Sequence, residues 1–112
     1  MTENTQHSAK SIKGIVFFDL DGTLLDNNTD DIPMSARRAI YELKQSGYIV
    51  VLSTGRDMDT HYSLRYMSAV EPDAVIHLNG NKISIGGQTV FRHIISDSLL
   101  HDIYDFCLKE HI

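Results

Sequence analysis

The chain has 112 residues, 42% hydrophobic and 22% charged, with a net charge of −5 and one cysteine. That length suits one small domain, and the apolar fraction without low-complexity tracts excludes a disordered chain. The acidic balance argues against a nucleic-acid partner, no apolar run reaches the length of a membrane span, and a lone Cys107 excludes an intramolecular disulfide.

Met1 to Ser11 is polar and lacks the apolar segment of a secretory signal, so residues 1–11 read as a disordered tail and the cytoplasm is the default compartment. Ile15 to Phe18 is an apolar run that ends on Asp19, the pattern of a buried strand. Asn27 to Asp31 is a polar loop or flap. Pro33 or Met34 opens a helix whose Ala36, Ala39, Ile40 and Leu43 face a sheet, with Gly47 as its stop. Tyr48 to Leu52 is a second strand ending at Ser53-Thr54. A helix is predicted over Asp57 to Ala69, broken by Pro72-Asp73, and a third strand over Ala74 to Leu78. Strand–helix–strand–helix–strand implies right-handed crossovers and a parallel sheet, with all strand ends on one rim. Lys82–Ile85 and Gln88–Arg92 form a hairpin around Gly86-Gly87. Ser96 or Asp97 caps a last helix with a stripe of Leu99, Ile103 and Phe106, flanked by Leu100 and Cys107, the latter read as a small buried apolar residue.

Ligands in open α/β sheets bind beyond the carboxyl ends of strands, where Asp19 stands. Asp21 follows on a turn that Gly22 permits. Two carboxylates so close repel unless a proton or cation lies between them, and a hard metal with oxygen ligands, Mg²⁺, answers that. A carboxylate beside such an ion can attack phosphorus, and a second can protonate the leaving oxygen and then activate water. The plainer alternative is a solvated acidic turn. Thr54 either caps a turn or binds a phosphate oxygen; Arg56 either pairs with Asp57 or Asp59 or meets an anionic substrate; Asn79 either makes an Asn-Gly turn or lines the site. The six histidines show no metal-ligand spacing, and His77 reads as a core residue or one supporting the site.

Asp19-Leu20-Asp21-Gly22-Thr23-Leu24-Leu25 resembles the first motif of the haloacid-dehalogenase (HAD) phosphohydrolases. Ser53-Thr54-Gly55-Arg56 and Asn79-Gly80 resemble the Cof-type branch of that superfamily, in order and at family-like spacing from about Ile12 onward. The resemblance implies a Mg²⁺-dependent phosphatase working through an aspartyl-phosphate on a small phosphorylated substrate. Asp19 would be nucleophile and metal ligand, and Asp21 general acid/base and metal ligand through its carbonyl. Thr54, Gly55, Arg56 and Asn79 would bind the phosphoryl group and substrate. It also implies an α/β fold: a three-layer Rossmann-like parallel sheet over 12–80 as a partial core, then a hairpin and helix over 81–112 like the start of a cap. After Asn79 neither the family's third-motif lysine context nor its Gly-Asp-x-x-Asn-Asp motif occurs, so the chain resembles the N-terminal portion of such an enzyme.

A non-catalytic binding or assembly module is the competing class, and a receiver-type phospho-acceptor a third. With the far side of the first strand and the last helix uncovered, a homo-oligomer through either is expected.

Overall fold

A computed structural model describes residues 11–112, so the expected tail lies outside the described residues except for Ser11. Strands β1 (Gly14–Phe18), β2 (Tyr48–Ser53), β3 (Ala74–His77), β4 (Lys82–Ile85) and β5 (Gln88–Arg92) form one sheet in that spatial order. Helices α1 (Met34–Gln45), α2 (Leu64–Val70) and α3 (Asp97–Lys109) complete the regular elements. The α/β class and the parallel β1–β2–β3 succession are as the sequence implies. The hairpin, however, joins the same sheet: β4 runs antiparallel to β3, with His77 opposite Lys82, so the sheet is mixed.

Phe18 and Val50, Leu52 and Val75 of the strands share one core cluster with Ile40 of α1 and Tyr66 and Val70 of α2. Both helices therefore cover one face. The alternation of strands sends Ile15 and Phe17 to the other face, where they remain 56% and 59% exposed. Of the three layers expected, the described residues supply the sheet and the α1–α2 layer. Helix α3 begins as foreseen, with Ser96 Oγ accepting from Leu99 N–H at 3.2 Å, but it buries no residue. Cys107 on it is half-buried, not buried as expected. The radius of gyration, 18.1 Å, exceeds the ~13 Å of a compact chain near this length, in line with a projecting helix.

Two element boundaries differ from those predicted. Residues 57–60 are not helical; helix begins as a 3₁₀ turn at His61–Ser63 and continues as α2. The cause is local competition for backbone groups: Asp57 Oδ1 accepts from Asp59 N–H, Thr60 Oγ1 donates to the Asp57 carbonyl, and Met58 N–H donates to His77. Strand β3 stops at His77 because Leu78, Asn79 and Gly80 all adopt positive φ (54°, 55° and 97°) to reverse the chain into β4. Gly86 and Gly87, both at positive φ, make the two-residue turn expected of the hairpin.

Candidate active site

The carboxyl ends of β1, β2 and β3 meet on one rim, and each delivers a candidate residue there. Asp19 follows β1 with its side chain exposed, and its Oδ1 accepts from the Leu20 N–H at 2.7 Å. The chain then winds through a wide turn, with Gly22 at φ 78° and Leu25 N–H closing onto the Leu20 carbonyl at 3.0 Å. This turn aims Asp21 at the loop after β2.

That loop is stitched to the one after β3. Thr54 N–H donates to the Ile76 carbonyl, Asn79 N–H to the Thr54 carbonyl and Leu78 N–H to the Arg56 carbonyl, at 2.9, 3.1 and 3.1 Å. Thr54 is buried, and its Oγ1 accepts from Arg56 N–H at 3.0 Å. Gly55 lets the two loops approach closely: a Cβ there would stand 3.3 Å from Asn79 Oδ1, which would have to give by a few tenths of an ångström. Asn79 thus lies against the second loop rather than only turning the chain.

Arg56 closes the constellation. Its Nε and Nη2 donate to Asp21 Oδ2 and Oδ1 at 2.8 and 2.7 Å, a bidentate pair, and its guanidinium lies 5.3 Å from the centre of the Tyr66 ring. Sequence reasoning offered Asp57 or Asp59 as its carboxylate partner; the structure gives Asp21 instead. The hydrogen bond from Arg56 holds the Asp21 carboxyl below its usual range, and Asp21 in turn raises Arg56. The structure thereby gathers Asp19, Asp21, Thr54, Gly55, Arg56 and Asn79 on one rim.

Asp57 and Asp59 serve a second cluster that the sequence did not reveal. Lys82 Nζ, almost wholly buried, lies 2.8 Å from Asp57 Oδ1 and 2.7 Å from Asp59 Oδ2. His77, fully buried, accepts the Met58 N–H on Nδ1 at 2.9 Å, so Nε2 carries the proton and donates to Ser84 Oγ at 2.9 Å. Burial depresses the His77 pKa; hydrogen bonds with Asp57 and Asp59 raise that of Lys82, and the Lys82 bond lowers that of Asp57. Asp57, Asp59 and His77 have the spacing of a metal trio. Their cation is the Lys82 ammonium, and the His77 lone pair is already engaged. The cluster ties the loop after Arg56 to the start of β4.

Residues 16–112 match the family model described as haloacid dehalogenase-like hydrolase. The chain belongs to that family. It is 31% identical over 91 residues to a Streptococcus pyogenes protein with the provisional name bifunctional phosphatase/peptidyl-prolyl cis-trans isomerase, covering 80% of this chain and 18% of that protein. Among solved structures it is similar to BT1666, a HAD-superfamily phosphatase from Bacteroides thetaiotaomicron (TM-score 0.77, 27% identity, 92% of this chain and 37% of that one). It is likewise similar to the subclass IIB sugar phosphatase BT4131 (TM-score 0.73, 27% identity, 88% and 38%). The chain therefore spans well under half the length of these relatives. No helix among the described residues is long and apolar enough to cross a membrane.

Proposed function

We propose that the chain carries the nucleophile-bearing part of a Mg²⁺-dependent phosphomonoesterase that acts on a small phosphorylated metabolite through an aspartyl-phosphate. The observation that carries this reading is the single rim on which β1 and β2 present Asp19, Asp21 and Thr54, with Arg56 joining the two loops. Its cytoplasmic setting belongs to the same proposal.

The donor set fits magnesium in kind. Asp19 is an exposed carboxylate with Oδ1 engaged by one backbone N–H, and hard oxygen donors of this type suit Mg²⁺, which keeps several waters of its own. The Asp19 carboxylate and the Asp21 carbonyl would hold the ion, which when bound supplies charge neutralisation at the phosphoryl oxygens. Asp19 forms the new O–P bond as the ester O–P bond breaks. Asp21 delivers a proton to the departing alkoxide, then takes one from the water that cleaves the acyl phosphate. Thr54 and the Asn79–Gly55 contact shape the phosphate seat. Arg56 holds Asp21 ionised, which suits the base step; the acid step requires that carboxylate to leave the guanidinium and gain a proton.

With Mg²⁺ and fluoroberyllate, a mimic of a phosphorylated carboxylate, the amides of residues 19–22 and 54–56 should shift in NMR spectra. Asp19→Asn should abolish the shifts, and any p-nitrophenyl phosphatase activity should fall by orders of magnitude. Shifts that persist in that variant remove Asp19 from the nucleophile role.

A second reading, an assembly module, is favoured by one observation: Ile15 and Phe17 on β1 and Leu99 and Phe106 on α3 are at least half exposed. We therefore also propose that the chain self-associates through β1 or α3.

A further inference from the structure

Beside Arg56, the partner of Asp21, lies a cleft of about 520 Å³ whose other walls take no part in the roles above. Arg56 forms its border with the rim; Asp30 and the 61–66 segment, with the apolar Leu64 and the rings of Tyr62 and Tyr66 among the polar His61 and Arg65, line the rest. Its size falls within the range of small-molecule sites, ~300–1,000 Å³. The segment 57–66 builds it because helix starts late, at His61, leaving His61 and Tyr62 on the surface at the cleft.

Both guanidiniums of the cleft have a carboxylate partner, but the pair made by Arg65 is the looser of the two. Two guanidiniums flank one aromatic ring: Arg56 and Arg65 lie 5.3 and 4.7 Å from the centre of Tyr66. Arg56 is spent on Asp21. Arg65 directs a single nitrogen, Nη2, at all its partners among the described residues: the Asp30 carbonyl at 3.1 Å, Asp30 Oδ2 at 3.3 Å and Tyr66 Oη at 2.6 Å. Its Nε and Nη1 carry three further N–H donors and have no partner among these residues. The Asp30 contact is monodentate and largely exposed, a pair of the weak kind. An arginine of the cleft wall that is anchored through one nitrogen keeps donors with which it can meet an anion.

We propose that this cleft is the leaving-group subsite and that it selects phosphomonoesters whose alcohol portion carries a second anionic group, a carboxylate, which Arg65 binds. The inference rests on the phosphoryl site proposed above, since it places the ester oxygen near Asp21 and the remainder of the substrate past Arg56. The carboxylate approaching Arg56 and Arg65 also lies where it competes with Asp21 for the Arg56 guanidinium, linking occupancy to release of the acid.

The test compares two probes that differ only at the far end, 3-phosphoglycerate and glycerol 3-phosphate, titrated with Mg²⁺ into the isotopically labelled chain and followed by amide shifts. Both probes should move residues 19–22 and 54–56. The carboxylate-bearing probe should also move residues 61–66 and bind about tenfold more tightly, the scale of one charge-assisted contact at a partly exposed arginine. Arg65→Gln should erase that preference without changing affinity for glycerol 3-phosphate; Arg65→Lys, which keeps the charge but loses the fork, should retain part of it. Equal binding of both probes, or a preference that survives Arg65→Gln, overturns the subsite and leaves the phosphoryl site standing. If neither probe moves residues 19–22 and 54–56, the phosphoryl site falls and the subsite with it.

Discussion

Replacing Lys82 with Met tests whether the buried ammonium clamps the loop after Arg56. Met preserves most of the aliphatic packing and deletes the charge, leaving Asp57 and Asp59 facing each other without a cation. Breaking a fully buried pair costs ~3–5 kcal/mol, and an exposed one ~0–1 kcal/mol. Here the lysine side chain is 7% exposed but its partners are 32% and 56% exposed, so water recovers much of the carboxylate solvation. An intermediate cost of about 1–2 kcal/mol follows, or a fall in melting temperature of about 5–15 °C for a chain of this size. The sign of the pH dependence is fixed by the shifts. The raised Lys82 pKa contributes stability that is complete below 10.5 and is lost as pH rises through the folded value. The lowered Asp57 pKa contributes stability present above 3.8 and lost as pH falls through its folded value. The difference between wild type and Lys82→Met should therefore be flat across neutral pH and narrow at both extremes. Thermal unfolding followed by circular dichroism reads it directly. Asp57→Asn should cost less in the Lys82→Met background than alone. An unchanged melting temperature, or strictly additive costs, would falsify the clamp.

Three further outcomes are expected. His77 should stay neutral with its proton on Nε2 below pH 6.5, because protonating Nδ1 removes the acceptor of the Met58 N–H; its share of stability is present above 6.5 and declines as pH falls, and an imidazole titrating at or above 6.5 by NMR contradicts this. Mg²⁺ should bind the 112-residue chain with roughly millimolar affinity or weaker, since Asp19 and one carbonyl are few ligands, and micromolar binding by calorimetry would require other carboxylates such as Asp26, Asp30 or Asp31. Light scattering should show association that the double substitution Ile15→Thr and Phe17→Thr reduces; a monomer at high concentration refutes it.

The motif-bearing parts of the fold were legible because their signals are local. Asp19 ends an apolar run, Thr54 ends another, and Gly86-Gly87 can only serve a tight turn; each reads from neighbours in sequence. The hairpin's place in the sheet was not legible, since its apolar residues Ile83 and Ile85 alternate with Lys82 and Ser84 as they would in a detached hairpin. In the structure that alternation turns the polar pair inward, where His77 and Asp57 receive them. The partners of Arg56 and Lys82 were hidden for the same reason: they lie 35 and 25 residues away, and nothing local marks them. Helical composition misled at 57–60, where side-chain and backbone contacts to Asp57 and His77 outweigh propensity.

The outer face of the sheet and the rim that carries the proposed site meet at β1, whose Ile15 and Phe17 are more than half exposed. Register places Ile15 and Phe17 of β1 beside Ile49 and Val51 of β2, and Ile76 of β3 opposite Ile83 of β4, all on the face away from α1 and α2. A sheet apolar on both faces is the composition of strands buried on both sides. At the same time, among the described residues β1 pairs with β2 alone, so its outer backbone groups form an edge there. Asp19 stands at the carboxyl end of that edge strand. Any strand added parallel to β1 would bring its own carboxyl end alongside Asp19, on the rim that carries the proposed phosphoryl site.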